Sequence, residues 1–100
     1  MIKKNQLSEV LVYLEEVILD REKSNNKSYT SGLLKKGLDR IAQKVGEEAT
    51  EVVIAAIKNN KKQAIYESAD LLFHLLLLWK KLNIKNHDIA KELLSRKNDK

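Results

Sequence analysis

Four carboxylates stand in two pairs of equal spacing, Glu48 with Glu51 and Glu67 with Asp70. Residues three apart leave a helix on the same side, so each pair points one way. Two such helices packed side by side bring four negative charges together. That cluster repels itself unless a cation lies within it. Oxygen-only ligands suit Mg²⁺ or Mn²⁺, whereas zinc prefers Cys and His. The chemistry expected is that of a carboxylate-held metal acting on phosphates.

The surroundings weigh differently on the two pairs. Arg40, Lys44, Glu47 and Glu51 fall opposite the apolar stripe of their helix, with Glu48 at its edge, as on a solvated face where Lys44–Glu48 is a routine i,i+4 ion pair. Ile54 and Ala55 continue that face, which argues that its C-terminal half is covered. Glu67, Asp70 and His74 fall within about 60° of one another on the side shared by Leu71 and Leu78. Buried carboxylates cost several kcal/mol unless paired or metal-bound. A salt bridge to Arg40 or Lys44 satisfies one acid, not all four. His74, one turn after Asp70, either orients that acid or contacts phosphate, and the sequence leaves both open.

No other catalytic constellation is present. The chain has no cysteine, no evident Ser–His–Asp set and no G-x-x-x-x-G-K-[ST] phosphate loop. Metal-assisted attack by water remains. Lys44 and Arg40, one and two turns before Glu48, are placed to stabilise phosphoryl charge in the transition state.

These residues need helices to hold them. Leu7, Val10, Leu11, Leu14, Val17 and Ile18 recur at helical spacing and predict a first helix from Leu7 to about Glu22. Residues 24–28 read as a loop. Ser28, Thr30 or Ser31 caps a short helical piece running to Lys36, and Gly37 breaks it. A third helix spans about Asp39 to Lys58, with Asp39 as its expected cap and an apolar stripe of Leu38, Ile41, Ala42, Val45, Ala49, Val52, Val53 and Ala56. Asn59-Asn60 ends it and caps a fourth helix, Lys61 to about Leu82, closed by Asn83. Asn86 is expected to cap a last helix from His87 to about Arg96, and residues 97–100 to fray. From Ala69 to Trp79 the fourth helix is apolar except at Asp70 and His74. A chain this short hardly encloses such a helix, so a partner chain is expected.

Composition agrees. One hundred residues with 43% hydrophobic content, no Pro and three Gly suit one all-α domain of four to five helices, residues 1–100. The absence of cysteine fits the cytoplasm. Residues 1–6 do not open a signal peptide, because Glu9, Glu15 and Glu16 follow. The apolar run at residues 71–79 is too short to span a bilayer. The net charge of +5 comes from scattered lysines without interleaved aromatics, which argues against nucleic acid as partner.

The pattern Glu47-Glu48-x-x-Glu51 followed by Glu67-x-x-Asp70 resembles the signature of the MazG-like all-α nucleoside triphosphate pyrophosphatases. Longer words, Ser28-Tyr29-Thr30, Asp39 through Ala49 and Glu67 through Leu76, resemble the phosphoribosyl-ATP pyrophosphatases of histidine biosynthesis, over about residues 28–82. The resemblance implies hydrolysis of phosphoribosyl-ATP to phosphoribosyl-AMP and pyrophosphate with Mg²⁺, in a MazG-like helical bundle completed by homodimerisation or higher assembly. It implies Glu48, Glu51, Glu67 and Asp70 as metal ligands, and Glu47 as a catalytic residue that holds a further metal or activates water. Arg40, Lys44, His74 and Tyr29 are then substrate-binding, with Ser28, Tyr29 and Thr30 in a loop that closes over substrate. Phe73 stands where the family usually has Tyr, and Trp79 where it is usually aliphatic. Some relatives are fused to phosphoribosyl-AMP cyclohydrolase, and this chain reads as the stand-alone form. The alternative is a house-cleaning pyrophosphatase of the same superfamily, which shares the carboxylates but is not expected to carry the longer words.

Overall fold

In the computed structural model, which describes residues 6–24 and 27–96, five helices follow one another: α1 (Leu7–Lys23), α2 (Tyr29–Lys36), α3 (Leu38–Ile57), α4 (Lys61–Lys81) and α5 (Asn86–Ser95). No strand occurs among the described residues. The fold is all-α, as the sequence predicts. The expected fraying of residues 97–100 and the reading of residues 1–5 lie outside the described residues.

α3 and α4 form the central hairpin, joined by residues 58–60. The turn has a specific local cause. Asn59 adopts φ 54°, its N–H donates to the Ala56 carbonyl, and the Asn60 N–H donates to the Ala55 carbonyl. This is the Schellman arrangement, which satisfies the last carbonyls of α3 and needs a left-handed residue that Asn tolerates. The Asn60 side chain then accepts from Gln63 N at 3.0 Å and caps α4. α4 closes in the same way: Asn83 has φ 59°, Asn83 N–H donates to Lys80 and Ile84 N–H to Trp79.

α1 and α2 pack on the half of the hairpin away from this turn. The core holds Ile18 from α1, Leu33 and Leu34 from α2, Ile41 from α3, and Leu76 and Leu77 from α4, with Leu11, Leu14, Phe73, Leu78 and Trp79 against it. α5 rests on α1, where Glu15 accepts the Asn86 N–H at 2.6 Å.

Two expected caps are different in the structure. Gly37, with φ 95°, is the N-cap of α3 and Asp39 lies within its first turn. Asp88 accepts the Lys85 N–H at 2.9 Å, so α5 begins at Asn86 and Lys85 takes the cap position.

The buried line of α3 also differs from the apolar stripe. Ile41, Glu48 and Ala55 are the buried residues of this helix. Leu38, Ala42, Val53 and Ala56, all in the predicted stripe, are exposed. The inward face is turned by roughly 80° from the most apolar one. The physical reason lies in what α3 packs against: α4 covers the side bearing Glu48, and among the described residues no element covers Leu38, Ala42, Val53 and Ala56. Ala55 is covered as expected, but Ile54 is exposed. On α4, residues 70–80 are buried or half-buried within the single chain, so the uncovered apolar surface sits nearer the turn than the sequence suggests.

Candidate active site

The hairpin acts as a ruler centred on Asn59. Glu51 and Glu67 stand eight positions before and after it, Glu48 and Asp70 eleven, and Lys44 and His74 fifteen. Antiparallel helices leaving one short turn therefore place these residues on matched rungs, about 4.5–6 Å apart along the axis.

Glu48 and Asp70 meet across the hairpin. Glu48, Asp70 and His74 each offer a ligand atom, and the three atoms lie within 4.8 Å of one another. Glu48 is nearly buried at 8% exposure, and its carboxyl is held above the ordinary carboxylate range. Burial is the main cause; hydrogen bonding and charge repulsion from Asp70 add to it, while Lys44 and His74 pull the other way without cancelling it. Lys44 Nζ lies 3.5 Å from Glu48 Oε2 and 3.5 Å from Glu47 Oε1. Desolvation pulls the Lys44 ammonium down, but Tyr29, Glu47 and Glu48 together outweigh it and the net shift is upward. Both members of the Lys44–Glu48 pair are thus shifted up. One cation does not neutralise Glu48 and Asp70 together.

Glu51 and Glu67 are placed differently. Glu67 is buried at 7% exposure and accepts from Gln63 Nε2 at 2.6 Å. Glu51 is exposed. Neither belongs to the close three-atom cluster of the described residues. Glu47 lies on the open side and gathers Lys44, Arg40 at 3.9 Å and Gln43 at 3.2 Å. Such half-exposed pairs contribute at most about 1 kcal/mol and open easily.

α2 delivers Tyr29 to the same place. Ser28 caps α2, its Oγ accepting from Ser31 N at 3.0 Å, so Ser28 sets the helix start and Thr30 sits half-buried in the first turn. The Tyr29 hydroxyl is 2.7 Å from His74 Nε2, and His74 Nδ1 is 2.8 Å from the Asp70 carbonyl oxygen. A carbonyl only accepts, so Nδ1 carries the hydrogen. In the neutral ring Nε2 then accepts from Tyr29. His74 is 2% exposed with Phe73 edge-on at 5.7 Å. Both of its nitrogens are engaged by the protein. Gln63 and Gln43, which hold Glu67 and Glu47, went unnoticed in the sequence, although Gln–Glu at i,i+4 is their common signal.

The donor set fits a hard divalent cation: clustered carboxylate oxygens, one acid whose ionisation is disfavoured by burial and then by its neighbour Asp70, and no thiol. Comparison with known proteins then decides the family. The family model described as phosphoribosyl-ATP pyrophosphohydrolase matches residues 11–97.

The chain belongs to the phosphoribosyl-ATP pyrophosphohydrolase family.

Its relatives include a phosphoribosyl-ATP pyrophosphatase of Geobacter sulfurreducens, 45% identical over 93 residues that cover 92% of this chain and 86% of the relative. Another, from Leptospira biflexa, is 48% identical over 89 residues, covering 88% of this chain and 97% of the relative. The histidine biosynthesis bifunctional protein HisIE of Buchnera aphidicola is 45% identical over 100 residues, which make up 99% of this chain and 48% of that protein. The family to which the residues of α3 and α4 point is therefore the one the whole chain matches.

Proposed function

We infer that this chain hydrolyses phosphoribosyl-ATP to phosphoribosyl-AMP and pyrophosphate, the second step of histidine biosynthesis. The observation that carries the reading is the meeting of Glu48 and Asp70 across the α3–α4 hairpin beside Lys44, in a chain of this family. Glu48 and Asp70 would hold Mg²⁺, or Mn²⁺ in its place, with Glu51 and Glu67 on the next rung adding to the acidic set. When bound, the cation neutralises phosphate charge and polarises a phosphoryl oxygen.

The chain's own residues do the rest. Arg40 and Lys44 bind the polyphosphate, releasing the weak pairs they make with Glu47. Glu47, exposed and then free of both cations, takes the proton of the attacking water. Tyr29 and His74 form the wall of the site on the α2 side, and His74 steadies Asp70.

The acting unit is a homodimer. Val53, Ile54 and Ile57 on α3 and Ile65 and Tyr66 on α4 are exposed near the turn, Ile57 at 80% and Tyr66 at 66%. Isolated monomers rarely present so many large apolar side chains together. The radius of gyration, 14.7 Å, exceeds the ~13 Å usual for a compact chain of this length. Among the described residues no helix is long and apolar enough to cross a membrane, and the reading places the enzyme in the cytoplasm.

The test is pyrophosphate release from phosphoribosyl-ATP, with Mg²⁺ and with EDTA, beside a panel of deoxynucleoside triphosphates. Mg²⁺-dependent release that is fastest from phosphoribosyl-ATP supports the reading. Faster release from the deoxynucleotides would keep the metal site and replace the substrate by that of a house-cleaning pyrophosphatase.

A further inference from the structure

Gln63 is the third residue of α4, and its backbone and side chain serve different neighbours. Its N–H donates to the side chain of the N-cap residue Asn60 at 3.0 Å. In the usual reciprocal arrangement a Gln at this position reaches back and accepts the N–H of the cap residue. Here that N–H is already taken, because the turn from α3 has it donate to the Ala55 carbonyl. The Gln63 side chain is thereby released from capping. It runs forward instead, and its Nε2 donates to Glu67 Oε2 at 2.6 Å.

Glu67 differs from the acids around it in what it meets. Glu47 meets Arg40 and Lys44, Glu48 meets Lys44, and Asp70 has His74 Nδ1 at 3.5 Å. Glu67 is buried, yet it makes no ion pair among the described residues, and its hydrogen-bond partner is a neutral amide. A buried carboxylate without a cation is unfavourable. The amide relieves this only in part, since it holds one of two acceptor oxygens and brings no charge. A lysine at the same i,i+4 spacing would also reach the carboxylate, but would neutralise it.

We propose that Gln63 is a positioning residue for the divalent cation: it pins Oε2 of Glu67 and leaves Oε1 to the metal, without a competing charge. The inference rests on the reading of Glu67 as part of the metal-binding set. The turn that pairs the two helices thus also frees the residue that holds one of their acids.

Mn²⁺ binding to the purified full chain, read by loss of the free-ion EPR signal, tests this without turnover. The parent is compared with Gln63→Ala, Gln63→Lys, Glu67→Gln and the double variant Gln63→Ala with Glu67→Gln, each beside a metal-free thermal melt. Both Gln63 variants are expected to raise the Kd for Mn²⁺ by about tenfold or more, and Gln63→Lys the more, since its ammonium competes for Glu67. Gln63→Ala should leave the metal-free Tm unchanged, because the side chain is exposed and alanine suits a helix. In the double variant, loss of Gln63 should add nothing to the effect of Glu67→Gln. Parent-like affinity in both Gln63 variants, beside weakened binding by Glu67→Gln, overturns the proposal alone. So does an effect of Gln63→Ala that persists in full in the double variant, or one matched by a lowered metal-free Tm. Parent-like binding by Glu67→Gln removes Glu67 from the metal site, and no binding by the parent removes the site itself; either takes the proposal with it.

Discussion

The Tyr29 hydroxyl and His74 Nε2 lie 2.7 Å apart, although 45 positions separate them in the chain. This bond joins the start of α2 to the middle of α4, directly behind the acid cluster. Through His74 Nδ1 and the Asp70 carbonyl it reaches the backbone of a proposed metal ligand. Partners of this kind orient ligands, and their loss typically lowers metal affinity or activity by about 10–100-fold.

Tyr29→Phe should therefore lower activity by about tenfold or more. The phenol is mostly exposed, but the variant leaves a buried imidazole nitrogen unpartnered, at a cost of about 1–3 kcal/mol in stability. Steady-state kinetics at varied Mg²⁺ together with a thermal melt check both effects. Unchanged kinetics would assign Tyr29 to packing alone.

Asp70→Asn and Glu48→Gln should each abolish turnover. They should not unfold the protein, because each removes one member of a repelling pair. Stability without metal should hold or rise, as read by urea unfolding. An Asp70→Asn variant with near-normal activity would remove Asp70 from the metal site.

The raised Glu48 carboxyl sets a pH dependence. Its folded value lies above its unfolded one, so ionising it costs the metal-free protein stability. Its favourable contribution is complete below the unfolded value and is lost as pH rises through the folded one. A bound cation reverses this, since it favours the ionised form. Mg²⁺ should accordingly raise Tm more at neutral pH than at pH 4.5, the ordinary value for Glu. At a hundredfold excess over Kd the neutral-pH gain is about 2.7 kcal/mol, or roughly 10 °C for a chain of this size. Equal gains at both pH values would separate the cation from Glu48.

Ile57→Lys together with Ile65→Lys should halve the mass measured by light scattering. Both side chains are mostly exposed in the single chain, so helix content should persist while the assembly dissociates. An interface centre commonly loses about 2 kcal/mol or more for each anchor removed. A variant that keeps the parent mass would move the interface elsewhere.

Much of this was legible in the sequence, for local reasons. Asn59 and Asn60 announce the turn because asparagine tolerates left-handed backbone and its side chain caps helices. The i,i+3 spacing of Glu67 and Asp70 on an apolar helix announces buried acid. What stayed hidden depends on distant partners. No local pattern links Tyr29 to His74. The apolar stripe of α3 predicts its inward face only if one chain supplies all its neighbours, and the line Ile41–Glu48–Ala55 is buried instead because α4 lies over it. Asp39 was expected as a cap from its residue type, yet Gly37 with its positive φ starts the helix earlier. Glu51 and Glu67 share a rung by count, but solvent reaches one and not the other.

Asn59→Gly should stabilise the protein by about 1 kcal/mol, because glycine adopts the left-handed conformation without strain, and should leave activity intact. Chemical denaturation and the pyrophosphate assay check this together. A loss of stability would mean that the Asn59 side chain holds the turn by itself.

The equal counts on either side of Asn59 make loop length a catalytic parameter. One residue added to the connection would slide α4 by about 1.5 Å and swing its side chains by about 100°, parting Glu48 from Asp70 and His74. Natural variation in such a protein has room at the far ends of both helices, where α1, α2 and α5 adjoin. Between Glu48 and Asp70 it has almost none: substitutions can accumulate there, but insertions and deletions cannot.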